Sequence, residues 1–203
     1  MNFLAHLYLS GDISDIKIGN FIADGVRGKQ FKTFSTQIQQ GILLHRAIDA
    51  FTDAHACVDA SITRLKSTQG RFAPVVIDIF YDHFLAKNWA VYHNQPLEDY
   101  AKEFYTFVRT YWEILPQRVR EVVFYMEKQN WLYNYSSMKG MIKAFEGMSK
   151  RTKFLSNMLT APQDLEKDYL LFEEDFTTFF PQLVEYSKQK LEEILQEKSL
   201  EIL

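Results

Sequence analysis

His45, Asp49 and Asp53 recur at four-residue intervals inside the apolar segment GILLHRAIDAFTDAH, residues 41–55. On a helix that spacing stacks the three side chains on one face, with some drift by the third. Asn20 and Asp24 repeat the interval, and so do Asp78 and Asp82, with His83 adjacent; His6 offers a fourth contribution near the start of the chain. An unpaired buried carboxylate costs several kcal/mol, so it must be paired, protonated or given a cation. One divalent cation resolves that cost for the whole set. Imidazole nitrogen with carboxylate oxygen and no sulfur suits Mn²⁺, Mg²⁺, Fe²⁺ or Zn²⁺. Bundle cores build such sites from inward side chains on facing helices. Taken singly, each residue has an ordinary reading. A lone histidine on an apolar face is usually a hydrogen-bonded core residue. His55 sits near a helix end and reads as a cap or exposed, His93 as surface, Asp15 and Asp99 as solvated or capping, and Cys57 as a small buried residue. The repetition on three segments is what singles the polar rows out.

The elements that must carry these rows are helical. Only 8 Gly and 5 Pro interrupt 203 residues, of which 47% are hydrophobic and 15% aromatic, so the chain supports a packed core and long helices. A helix is predicted from Ser14 to Asp24, stopped by Gly25, followed by a polar loop from Arg27 to Thr33 and a long helix from Ser35. Gly70 ends a helix and Pro74 suits the first turn of the next, the apolar PVVIDIFYDHFLAKNWAVY, which HNQP breaks. Leu97, Tyr100, Ala101, Phe104, Tyr105, Val108, Tyr111 and Trp112 mark an amphipathic helix by three-and-four spacing. Another helix starts near Pro116, shorter pieces cover 131–158, and two last helices divide at Pro181. No strand pair carries hairpin chemistry. The expectation is an all-α bundle, a single domain over residues 1–203.

Charge and composition exclude several classes. The net charge is −3, so the chain as a whole is not a binder of nucleic acid, although local basic patches exist. One cysteine forms neither an internal disulfide nor a multi-cysteine zinc site and suits a reducing compartment. The opening MNFLAHLYLSG lacks the basic region of a signal peptide, and no uncharged apolar run reaches the roughly 18 residues of a membrane span. A cytoplasmic location with no membrane association is expected.

Several blocks, in order along the chain, resemble the bacterial acyl carrier protein phosphodiesterase family. They are MNFLAHLYLS at the start, GNFIADGVRG at 19–28, GILLHRAIDAFTDAH at 41–55, DIFYDHFLAKNW at 78–89 and GMSKRT at 147–152. The resemblance implies a hydrolase that removes the 4'-phosphopantetheine arm from holo-acyl carrier protein, depends on Mn²⁺, and is a divergent, all-α relative of the HD-domain phosphohydrolases. The sequence contains no His-Asp dipeptide, however; it has Asp82-His83 and HRAID instead. Asp24 matches an acidic position that the resemblance marks as functional.

On that footing Asp24, His45, Asp49 and Asp82 are expected to supply most of a ligand set, with His6 or His83 completing or orienting it. A histidine outside the ligand set could protonate the leaving oxygen, and the catalytic group is taken as Asp24, His45, Asp49, Asp82 and His83. Arg46 or Arg151 could clamp a phosphoryl oxygen. Acyl carrier proteins are acidic, so a chain of net charge −3 must concentrate positive charge locally. Candidate docking patches are Arg27, Lys29 and Lys32, and Lys139, Lys143, Lys150, Arg151 and Lys153. Two other readings compete. One is an HD-like phosphohydrolase acting on a small nucleotide. The other is a non-catalytic helical module that binds carrier protein, which leaves the polar rows without a purpose.

Overall fold

A computed structural model describes residues 1–151 and 156–200, the side chains at 150, 151 and 197–200 excepted. Among the described residues there are twelve α-helices and no strand: α1 (Phe3–Tyr8), α2 (Ser14–Ile22), α3 (Thr36–Ala54), α4 (Ala56–Gln69), α5 (Ala73–Lys87), α6 (Trp89–Tyr92), α7 (Leu97–Thr110), α8 (Gln117–Lys128), α9 (Trp131–Asn134), α10 (Met138–Arg151), α11 (Ala161–Lys167) and α12 (Tyr169–Leu200). The all-α expectation holds. The break at Gly70 holds too: its φ of 52° is a left-handed conformation that glycine adopts without a Cβ penalty.

Helix α5 is apolar nearly all round and buries ten of the eleven positions from Val76 to Ala86, Asp78 excepted, which makes it the central helix. Phe172, Phe176, Phe179 and Phe180 of α12 are fully buried against it; Phe80 meets Phe172 and Phe84 meets Phe176 at ring separations of 5.3 and 5.7 Å. Two sequence expectations are corrected here. Residues 169–200 form one helix that runs through Pro181 rather than two helices divided there. A proline removes one helical hydrogen bond; the buried aromatic row before it, with buried Leu183, Ser187 and Ile194 after it, holds the helix together. The second concerns α2, which ends at Ile22; Ala23–Gly25 tightens into a 3₁₀ turn, so Asp24 sits just beyond the helix.

The approach of α2 to α3 is set by two glycines. A Cβ on Gly19 would run into the carbonyl oxygen of Ile38 and lie 2.9 Å from the Gly41 Cα; a Cβ on Gly41 would strike the carbonyl oxygen of Ile16 and lie 2.8 Å from the Asn20 nitrogen. With no side chain on either helix at the crossing, the backbones touch and Asn20 is carried onto His45.

Candidate active site

Three helices bring His6, His45 and Asp49 together. Helix α1 supplies His6, and α3 supplies His45 and Asp49 one turn apart, while α2 supplies the buried Asn20 between them. His6 Nε2 lies 3.2 Å from Asp49 Oδ1, and His45 Nε2 lies 3.1 Å from Asp49 Oδ2 and 3.4 Å from Asp24 Oδ1. One nitrogen or oxygen from each of His6, His45 and Asp49 falls within 4.8 Å of the others, a spacing that one cation can span. The two imidazoles are stacked, with centroids 4.0 Å apart.

Asn20 fixes which nitrogens face inward. Its side-chain amide donates to the His6 carbonyl at 3.0 Å and to Ser10 Oγ at 2.9 Å, which turns its oxygen toward the rings. That oxygen lies 2.9 Å from His6 Nδ1 and 3.1 Å from His45 Nδ1, and the Asn20 backbone carbonyl lies 2.9 Å from His45 Nδ1. Oxygen acceptors there require N–H at both Nδ1 atoms. In neutral rings both Nε2 atoms then carry lone pairs, the arrangement that orients metal-ligating histidines. His6 Nε2 is buried without a hydrogen bond.

Burial, with the neighbouring His45, lowers the His6 pKa to about 4. Burial also pulls His45 down, but Asp24 and Asp49 outweigh it and raise this group to about 9. Burial pushes Asp49 up and is overcome by His45 and His6, so this carboxyl ends well below its usual range; Asp24 is lowered mainly by its bond to His45. His45 thus carries a proton that His6 does not, set against two carboxylates. A divalent cation would take the place of that proton, and the donor set of two imidazole nitrogens and an ionised carboxylate fits one.

The remaining predicted residues fall elsewhere. Asp82 is not brought into the cluster. Fully buried, it accepts the backbone N–H groups of Leu4 at 2.8 Å and Ala5 at 3.1 Å, capping α1 from α5. Asp78, one turn earlier, reaches the site instead: it lies 3.0 Å from the amino group of Met1, which is 4.0 Å from Asp49. His83 points away, held between the Tyr135 carbonyl at 2.7 Å and the Tyr169 hydroxyl at 3.0 Å, because its neighbour Asp82 lies about 100° round the helix. Asp53 is exposed, and His55 caps α4 by accepting from the Cys57 N–H. Arg27 is exposed beside the 3₁₀ turn at Gly28–Thr33, and the guanidinium of Arg46 lies 4.9 Å from the centre of the Phe31 ring. The side chains of Lys150 and Arg151, and all of Lys153, lie outside the described residues.

A cleft of about 660 Å³ opens next to the cluster. Asp24 and Asp78 line it together with Phe3, Val75, Ile79, Val122 and Met148. Asn20 and Asp78 were visible in the polar rows of the sequence. Their roles were not, because spacing along a helix does not say which turn of the row meets a neighbour.

Residues 1–183 match the family described as "Acyl carrier protein phosphodiesterase". Proteins named acyl carrier protein phosphodiesterase align over 191 residues, 94% of this chain. The one from Photorhabdus laumondii is 31% identical over 96% of its own length, that from Yersinia enterocolitica 29% over 99%, and that from Escherichia coli O6:H1 31% over 99%. No solved structure matches the chain. A match over most of the length leads to one conclusion: this chain belongs to the acyl carrier protein phosphodiesterase family.

Proposed function

We propose that the protein hydrolyses the phosphodiester between 4'-phosphopantetheine and the serine of holo-acyl carrier protein, with a divalent cation, Mn²⁺, held by His6, His45 and Asp49 and bordered by Asp24. The reading rests on one observation above the rest: Asn20 takes the Nδ1–H of both histidines and leaves both Nε2 atoms aimed at Asp49. The family name supports the substrate. When bound, the cation supplies an acidified water and neutralises charge on the phosphoryl oxygens.

The chain's own residues carry the rest. Asp24 is the most exposed carboxylate of the cluster, with 77% of its side chain accessible, and stays ionised because His45 holds its pKa down. It is positioned to receive the proton of the attacking water. Asp49 and His6 stay fixed, since Asp82 caps the helix that carries His6 and Asn20 holds the ring. Exposed Lys139 and Lys143 on α10, whose Ala144 and Met148 line the cleft, offer positive charge to an acidic carrier.

Intact-mass analysis of holo-carrier incubated with the protein and Mn²⁺ tests this. The expected result is loss of the mass of the arm, abolished by EDTA and by Asp24→Ala. No mass change by a folded, metal-loaded protein overturns the substrate, and cleavage of small nucleotides under those conditions would put the phosphohydrolase reading in its place.

A further inference from the structure

We propose that the cleft beside the His–Asp cluster holds the phosphopantetheine arm, and that Arg118 grips its phosphate. This inference rests on the substrate proposed above and adds the residue that would bind it.

The volume of about 660 Å³ lies within the roughly 300–1,000 Å³ of sites that enclose small organic ligands. The cleft is polar where Asp24 and Asp78 line it, and apolar along Val75, Ile79 and Val122. Asp24, Asp78 and Glu121 together repel an incoming phosphodiester, and the Met1 ammonium in the same lining is already paired with Asp78, so further positive charge must stand close by. Arg118 is the one arginine or lysine among the described residues that line the cleft.

Its position and its freedom both fit the task. A Cβ on Gly25 would collide with Val119 Cγ2, so the start of α8 is pressed against the residue that follows Asp24. Arg118 directly precedes Val119 and is exposed, which sets it at the Asp24 end of the cleft. Other arginines are already engaged. Arg64 pairs with Asp175, Arg109 with Glu127, Arg120 with the carbonyls of Glu113 and Leu115, and Arg46 with the Phe31 ring. No carboxylate, carbonyl or ring holds Arg118 among the described residues. A planar guanidinium offers two parallel N–H groups, which match the two non-bridging oxygens of a phosphodiester; a lysine ammonium presents only a point charge. Neither charge patterning nor helix spacing marks Arg118, because the cleft forms only when α8 meets the turn at Gly25.

Two measurements on the Mn²⁺-loaded protein test the assignment. In the first, calorimetry follows binding of free 4'-phosphopantetheine to the wild type and to Arg118→Ala and Arg118→Lys. The wild type is expected to bind, the alanine variant at least tenfold more weakly, and the lysine variant in between. Equal binding by all three, or no binding by the wild type, overturns the proposal whatever the catalytic outcome. In the second, holo-carrier turnover is compared at unchanged melting temperature and metal content. The expected loss in kcat/KM for Arg118→Ala is on the order of 100-fold, partly restored by added guanidinium. If the wild type cleaves holo-carrier and Arg118→Ala does so within about twofold, the arginine is wrong and the function stands. If the wild type does not cleave it, the function fails and the binding measurement decides the cleft separately.

Discussion

Asn20 carries no charge, yet it decides what both histidines can do. Replacing it with leucine removes the acceptor of the His6 Nδ1–H and leaves His45 only the backbone carbonyl, and metal affinity is expected to fall roughly 10–100-fold, while Asn20→Asp, which keeps an acceptor, retains most of it. Competition titration with a metal-sensitive dye measures this; equal affinity in the leucine variant refutes the orienting role. Asp82 acts at one remove. Burial raises its pKa from 3.8 to about 7 against the pull of the Leu4 and Ala5 N–H groups. Between those values the folded protein holds a proton that the unfolded chain has released. This group's contribution to stability is therefore full below about pH 4, declines as pH rises toward 7, and is flat above. Melting temperatures of the EDTA-treated protein from pH 4.5 to 8 should fall less steeply for Asp82→Asn than for the wild type, and parallel curves would rule the assignment out. The sequence presented Asp78 and Asp82 as one row. Which of them meets the amino terminus of α1 and which meets the cleft follows from the position of α1 along α5, and no spacing rule encodes that.

At the scale of elements, the site depends on the bare crossing of α2 and α3. Gly41→Ala would force a methyl group onto the Ile16 carbonyl and the Asn20 nitrogen. The helices must separate, at a cost of about 1–3 kcal/mol or more, and Asn20 must draw back from His45. Thermal unfolding and metal titration should therefore both suffer, with weakened metal binding even in the fraction that remains folded. A variant that melts as the wild type does would show that the crossing has slack. Most element limits were legible because their signals are local: Gly70, Pro74, HNQP and the stripe from Leu97 all mark real boundaries. Pro181 was misread because a local helix-breaking signal was overridden by long-range burial of the phenylalanines before it and of Leu183 and Ile194 after it.

For the molecule as a whole, the net charge of −3 opposes approach to an acidic carrier protein. On the proposed function, helix α10 offers an approach surface through Lys139 and Lys143, both exposed. Reversing both, Lys139→Glu with Lys143→Glu, should raise KM for holo-carrier about tenfold and leave kcat nearly unchanged, since these side chains lie outside the His–Asp cluster. Added salt should raise the wild-type KM and affect the reversed variant less, because screening acts on the attraction that the variant has lost. A fall in kcat with KM unmoved would refute a docking role. Among the described residues no helix is long and apolar enough to cross a membrane.

By itself the sequence determined the helical class, most helix limits and the presence of polar rows at one-turn spacing on three segments. These are properties of neighbours along the chain, and helical periodicity makes them readable. It also carried the family, through blocks spread over most of its length. Tertiary structure alone decided the membership of the cluster: His6 with His45 and Asp49, Asn20 as the common acceptor, Asp82 as the cap of α1, His83 turned away, and Arg118 lining the cleft. Those outcomes depend on which faces of different helices meet, and that is fixed by the glycine contact of α2 with α3 and by the packing around α5, between residues far apart in sequence.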